Sequence, residues 1–327
     1  MTGEEASVRQ AGSELQNNGG IEMLLSEQLH LMNECQVSIR NERPFDYLSL
    51  LVPVEGFAML SYLDDAGHVK DIPGNLTMLL TTNELALSLS TDTFGLAITS
   101  NPRELFFRLH NFLCSQDGYR RPEFASRIDP TAMVSAKAHV AEANVVIGAG
   151  VVLEPFVMIY PDTVIGDYSV IRAGTILGGV GFEFKRTGDE VMSVSHAGGV
   201  IIEDHVEIQN NACIDRAIYP WDDTRISSYS KLDNHVYVAH GCKIGKRALI
   251  TAHSVVGGRV VVGDDVWIGF NATIRNGLKI GDRARVNMGA VVTRSVGNDE
   301  SVTGNFAIPH DQFLKLLKRD LKSLEQD

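Results

Sequence analysis

The chain has 327 residues, 44% of them hydrophobic, and a formal net charge of −12 at neutral pH. The acidic balance excludes a nucleic-acid groove or an anionic membrane surface as the main partner, and no apolar run is long enough to span a bilayer. The apolar content is ample for a core, the length implies two or more domains, and the four cysteines (Cys35, Cys114, Cys213, Cys242) show no paired spacing and read as reduced thiols of a cytoplasmic protein.

In chain order, residues 1–20 are polar and acidic, lack a signal-peptide core, and read as a flexible tail. Residues 21–115 read as a small α/β domain. A short helix is expected within 21–36. Apolar runs follow at Tyr47–Val54, Phe57–Leu63, Leu76–Leu80, Leu85–Leu89 and Phe94–Ile98, separated by Gly, Pro and Asp. Residues 101–114 predict an amphipathic helix with Asn101 as N-cap and Pro102 in the first turn. Residues 116–126 read as a polar linker.

From residue 127 to 308 the organising pattern is a period of six. Aliphatic leads run Ile128, Val134 and Val140. They slip by one to Ile147 and continue to Leu177, then resume at Ile202 and run to Val292 with Pro220 the one misfit. Four places after most leads sits a small or β-branched residue, such as Ala212, Ser230, Cys242, Ala248, Ser254 or Ala272, with Leu278 an exception. Such a period fits neither a helix nor an alternating strand. It fits a hexapeptide β-helix, a prism of short strands and tight turns with the leads inside. Glycine often follows the lead (Gly245, Gly263, Gly269, Gly281), which suits a turn at positive φ. Two excursions interrupt the prism. Residues 178–199 form a loop or hairpin carrying Phe182 and Phe184 ahead of a charged turn, and residues 216–225 surround Tyr219-Pro220-Trp221. Residues 309–327 read as an amphipathic, locally basic helix with Phe313, Leu314, Leu317 and Leu321 near helical spacing.

Three blocks complete one coil, so residues eighteen apart should stack. His235 falls under His253 with Asn271 beyond, and His240 falls under Gly258 with Asn276 beyond. His235 and His253 are candidates for substrate or inter-subunit hydrogen bonding, or solvated turn residues. His240, in VAHG (Val238–Gly241), is the sharper candidate. A near-neutral imidazole beside a glycine can take a proton from an amine or hydroxyl attacking a thioester. Gly258, without a side chain, can offer its N–H to the developing oxyanion. A metal reading of the same residues would pair His235 and His240 with Asp215 or His205 around zinc.

At these residues the chain resembles the UDP-3-O-acylglucosamine N-acyltransferases of lipid A synthesis, a hexapeptide-repeat family. The resemblance rests on KLDNHVYVAHGCKIG (Lys231–Gly245), VIIEDHVEIQNNACIDRA (Val200–Ala217), GGVGFEF (Gly178–Phe184), SVTGNFAIP (Ser301–Pro309) and NPRELFFRLHNFL (Asn101–Leu113). It implies a mainly β chain: a homotrimer of left-handed parallel β-helices with active sites between neighbours, a small N-terminal α/β domain and a C-terminal helix. It implies His240 as general base, Gly258 as oxyanion donor, and Asp233 and Asn234 shaping the site. His235, His253, Phe182, Phe184 and Asn276 stand as substrate-binding candidates. An acyl chain would arrive as a thioester of acyl carrier protein or CoA, Lys315, Lys318 and Arg319 would dock an acidic carrier, and no resident cofactor or metal is needed. The acceptor would be a sugar-like, nucleotide-linked amine. The chain departs from the family at Gly241, which follows the histidine where the family has Asn, at Val180 and Glu183 in the loop, and at Gly277, where some members carry a second His. The alternatives are a short-chain acyl-CoA transferase on another amino or hydroxy acceptor, a metal-dependent hydratase resembling the γ-class carbonic anhydrases, and a scaffold that kept the prism and lost activity.

Overall fold

The computed structural model describes residues 21–90, 92–304 and 307–324; the expected tail at 1–20 lies outside them. The six-residue period folds into three parallel sheets of nine, eight and eight strands, most strands two or three residues long. Successive coils pair in register. Val152 lies beside Val170, Leu249 beside Trp267 and Thr273 beside Val291, each eighteen residues on. The slip near Ile147 is visible in the first coil, where Ile128 pairs with Ile147 and Val134 with Leu153, nineteen on. The prism is a left-handed β-helix.

Lead and small residues alike fill the interior. Ile147, Leu153, Ile159, Ile202, Ile208, Ile244, Ile268 and Val286 belong to one core with Ala212, Val236, Cys242, Ala248 and Ala272. Two serines take inward small positions because their hydroxyls are answered: Ser230 donates to Gly245 O at 2.8 Å and Ser254 to Gly269 O at 2.9 Å.

Left-handed backbone recurs every sixth residue, at Tyr229, His235, Gly241, Arg247, His253, Arg259, Asp265, Asn271, Gly277, Arg283 and Gly289. The residues divide among three prism edges. One edge holds His205, Tyr229, Arg247, Asp265 and Arg283. A second holds His235, His253 and Asn271. A third holds Gly241, Arg259 and Gly277. The glycines that follow the leads are therefore not there for positive φ, as the sequence suggested. They allow coils to stack closely: a Cβ on Gly245 would lie 2.3 Å from Gly263 O, and one on Gly263 would lie 2.7 Å from Asp282 N.

The N-terminal domain contains helix α1 (Leu25–Leu31) and strands β1 (Ser38–Arg40), β2 (Tyr47–Leu48), β3 (Met59–Leu63), β4 (Leu76–Thr81) and β5 (Gly95–Ile98). Its sheet has the order β1-β5-β4-β3-β2, with β1 antiparallel to β5 and the other pairs parallel. The apolar run Leu85–Leu89 overlaps the short helix α2 (Asn83–Ala86). Helix α3 (Pro102–Leu113) starts where its cap predicts: Glu104 N donates to Asn101 Oδ1 at 3.2 Å and Pro102 occupies the first turn. Helix α4 (His310–Leu324) closes the chain with Phe313, Leu314, Leu317 and Leu321 exposed.

Both excursions leave the third edge, on successive coils. They stretch the pairing interval to thirty-seven residues (Thr163 with Val200) and then twenty-four (Val200 with Thr224) before it returns to eighteen (Arg225 with Lys243). The first carries an antiparallel hairpin, Phe184–Thr187 with Glu190–Ser193. Val194, Ala197, Ile218 and Tyr219 from the two excursions join the same core as Phe45, Tyr47, Leu60 and Phe106 of the N-terminal domain. Polar contacts fix the junction. Ser195 N donates to Asn111 Oδ1 at 2.8 Å, Asn111 Nδ2 donates to Ser193 O at 2.7 Å, and Trp221 Nε1 donates to Leu48 O at 2.9 Å. The segment 116–126 connects the two halves, mostly exposed but anchored at two residues. Tyr119 is buried in the domain core, and Arg121 forms a buried ion pair with Asp223 at 2.9 Å.

Candidate active site

His240 and Gly241 form the turn on the third edge one coil beyond the second excursion. Gly241 N donates to Thr224 Oγ1 below at 2.8 Å, and Arg259 N donates to His240 O from above at 2.9 Å. The imidazole is only 6% exposed. Directly over it lies Gly258: a Cβ there would sit 2.6 Å from His240 Nε2 and 2.9 Å from Cε1, so a side chain at 258 would collide with the ring. The Gly258 N–H donates to no acceptor among the described residues. The ring thus packs against the α-carbon of a residue whose backbone donor is uncommitted among the described residues.

The first excursion folds back over this pair. Glu183 Oε2 lies 3.3 Å from His240 Nε2, and the same carboxylate pairs with Lys185, whose ammonium sits over the Phe107 ring at 4.4 Å. The His196 ring meets that of His240 edge to face at 5.6 Å. His240 Nδ1 and His196 Nε2 are buried and make no hydrogen bond among the described residues. Below the loop, Asp215 accepts from Tyr237 Oη at 2.5 Å and from Cys213 Sγ at 3.6 Å. Gly181 passes so near that a Cβ would lie 2.8 Å from Asp215 Oδ2 and 3.2 Å from His196 Nε2.

Burial pushes the His240 imidazole down to about 4, and the Arg259 charge pushes the same way against the pull of Glu183. His240 is therefore neutral near pH 7, and beside a carboxylate it donates its Nε2–H. Burial would raise the Glu183 carboxyl, but Lys185, Arg259 and His240 together hold it below its ordinary value, so it is an anion. Burial lowers His196 and raises Asp215. Nδ1 is enclosed, and Glu183 covers Nε2.

The remaining predicted residues divide by edge. His235 and His253 do stack, with ring centroids 4.8 Å apart and planes within 10°, but on the second edge and exposed. Asp233 and Asn234 serve that corner: Asp233 Oδ1 accepts from Asn234 N at 2.8 Å, its Oδ2 accepts from Ala252 N at 3.1 Å, and Asn234 Oδ1 accepts from Asn210 Nδ2 at 2.9 Å. Within one chain they do not reach His240. Asn276 lies one coil beyond Gly258, exposed; a Cβ on Gly257 would meet its backbone N at 2.6 Å. Phe182 and Phe184 pack on each other at 4.8 Å and project from the loop, Phe182 being 83% exposed. Lys315, Lys318 and Arg319 lie on the exposed α4. The zinc set does not assemble. His205 is stacked between Tyr168 and Tyr229 on the first edge, His235 is on the second and His240 on the third, and no group of three His, Cys, Asp or Glu converges among the described residues. Sequence reasoning missed His196, Lys185, Tyr237 and Arg259, and noticed Glu183 only as a departure from a motif. Arg259 was within reach, because the spacing that joins His240 to Gly258 joins Gly241 to Arg259. His196 lies in the excursion, where no period applies.

The bacterial transferase hexapeptide (six repeats) family model matches residues 144–179 and 259–294. The UDP-3-O-acylglucosamine N-acyltransferase of Wolinella succinogenes is 34% identical over 172 residues, 51% of this chain and 54% of that protein. That of Methylobacillus flagellatus is 29% identical over 274 residues, 73% of this chain and 76% of that one. By sequence, the chain is similar to the UDP-3-O-acylglucosamine N-acyltransferases over part of its length. It spans about half the length of the first of these relatives. A UDP-N-acetylglucosamine acyltransferase from Campylobacter jejuni is a structural likeness at 21% identity and TM-score 0.47, covering 62% of this chain and 84% of that one. The chain carries its buried histidine and the glycine packed on it on the prism edge that also bears both excursions. No helix among the described residues is long and apolar enough to cross a membrane.

Proposed function

We propose that the protein is an N-acyltransferase that moves an acyl group from a thioester, on acyl carrier protein or CoA, to the amine of a sugar-like, nucleotide-linked acceptor. The observation that carries the reading is the placement of Gly258 against the His240 ring. The acceptor nitrogen attacks the thioester carbonyl carbon and the C–N bond forms. Once Glu183 has withdrawn, the ring exchanges its proton to Nδ1, and His240 Nε2, now bearing the lone pair, takes the proton that nitrogen sheds, while the carbonyl oxygen, now negative, accepts the Gly258 N–H. Collapse breaks the C–S bond and the thiolate leaves, taking up the proton from His240. Glu183 must first withdraw from Nε2. Lys185 keeps the carboxylate satisfied when it does.

The assembly we infer is a cytoplasmic homotrimer. The exposed apolar faces of α4 and of the Phe182 loop support it, as surfaces of that kind are covered by partners. Asp233, Asn234, His235 and His253 would then act across a neighbour's cleft, and Lys315, Lys318 and Arg319 would meet an acidic carrier. The test is His240→Ala with thioester donor and nucleotide-sugar amine. Turnover should fall by about 10²-fold or more with the circular dichroism and unfolding curve unchanged. Turnover like that of the parent chain would remove His240 from the chemistry.

A further inference from the structure

Arginines at two left-handed turn positions of the prism have their charge answered one coil on. Arg247 Nε and Nη2 donate to Asp265 at 2.6 and 2.6 Å, and Arg283 Nε and Nη2 donate to Asp299 at 2.6 and 2.8 Å. Arg259 breaks that rule. The residues above and below it on its edge are Gly277 and Gly241; the Asp222 carboxylate lies on the same side, its Oδ2 3.1 Å from where a Cβ on Gly241 would sit, but it is paired with Lys243 at 2.6 Å. Its side chain makes no hydrogen bond or ion pair among the described residues, although it is half-buried. A Cβ on Gly241 would touch Arg259 Cγ at 3.3 Å, while one on Gly277 would meet nothing within 4 Å, so the edge is open beyond the arginine.

The side chain rises beside the candidate active site. Arg259 N is bonded to His240 O. The arginine charge reaches His240, Glu183 and Tyr219 of the excursions, and Tyr62 of the N-terminal domain. The nearby carboxylates are committed elsewhere, Glu183 to Lys185 and His240 and Asp222 to Lys243. A half-buried guanidinium without an anion is an incomplete arrangement, and its planar fork matches two oxygens of one phosphate.

We infer that Arg259 is the anchor for a substrate phosphate beside His240. The inference rests on the acyl-transfer reading, in which both substrates carry phosphate: the diphosphate of a nucleotide-linked acceptor, and the pantetheine phosphate of the donor. Isothermal titration of the full chain and of Arg259→Gln and Arg259→Lys, with uridine diphosphate, uridine and CoA as probes, tests it without turnover. Arg259→Gln should weaken one phosphate-bearing probe by about 10-fold or more while leaving uridine unchanged. Arg259→Lys should recover part of the loss, because it keeps the charge and loses the fork. Loss confined to uridine diphosphate assigns the acceptor, and loss confined to CoA assigns the donor. If both probes bind the Arg259→Gln chain within twofold of the parent, or if the parent chain binds neither, the anchor is wrong. A parent chain that binds phosphate through Arg259 yet transfers no acyl group would overturn the acyltransferase reading and leave the anchor standing.

Discussion

The coils from Arg225 to Val292 and the coils interrupted between residues 178 and 222 use the same six-residue rule with opposite results. In the uninterrupted stretch every strand pair is eighteen residues apart, the interior is almost wholly apolar, and charged pairs such as Arg247–Asp265 lie exposed on an edge. In the interrupted stretch Asp215, Arg216, Asp223, His196 and, at its margin, His240 are buried. The difference is geometric. A closed triangular coil is filled by one lead and one small residue per side and has no room for a polar group that needs several partners. An excursion adds a second wall outside the prism, and the space between wall and prism is shielded from water yet lined with backbone donors and charged side chains. The buried titratable groups gather where the repeat is broken.

If this contrast is sound, the two regions should fail separately. The largest effect is expected from Arg121→Ala, which leaves Asp223 buried without its ion-pair partner; both side chains are 2% exposed. The loss should be about 3–5 kcal/mol, with amide protection falling in the N-terminal domain and excursions while 226–292 keep theirs. Equal loss of protection throughout would show a single cooperative unit. A somewhat smaller effect should come from acid. Burial pushes the His110 ring down to about 4, and its Nε2–H donates to Ser195 O at 2.9 Å across the junction. The folded chain keeps that ring neutral to about pH 4, whereas the unfolded chain protonates it near the ordinary histidine value, so stability falls as pH drops through that window. The cost below it is about 3 kcal/mol. In urea titrations at pH 7 and pH 4.5, His110→Gln should show a smaller fall than the parent chain, and an identical fall would exonerate His110. The smallest effect is expected in the regular half. Arg247→Ala removes an exposed pair with Asp265, and its urea midpoint should move by no more than the scatter between replicates.

Much of the prism was legible because one physical constraint repeats. An inward lead every six residues is the same packing problem solved again and again, and Ile128 to Val292 could be placed before any coordinates. Both excursions announced themselves as failures of the period, the second through Pro220. Their destination was not legible. That Tyr219 and Val194 complete the core of a domain more than seventy residues away in sequence is a long-range fact with no local signal. The site was legible in part for the same reason. His240 under Gly258 follows from counting by eighteen, whereas Glu183 and His196 arrive on a hairpin whose path counting does not describe. The glycines after the leads show the converse error, a correct residue with the wrong reason, because coil-to-coil spacing and backbone handedness both select glycine.

Both excursions depart from and return to one corner, and the stack resumes in phase after each. That makes the corner a socket. The scaffold tolerates inserts there of very different length, about nineteen residues and about six by the change in pairing interval, without re-solving its own packing. Evolution or an engineer can exchange what is plugged in there, and with it whatever the neighbouring histidine is asked to recognise, while the supporting column stays the same.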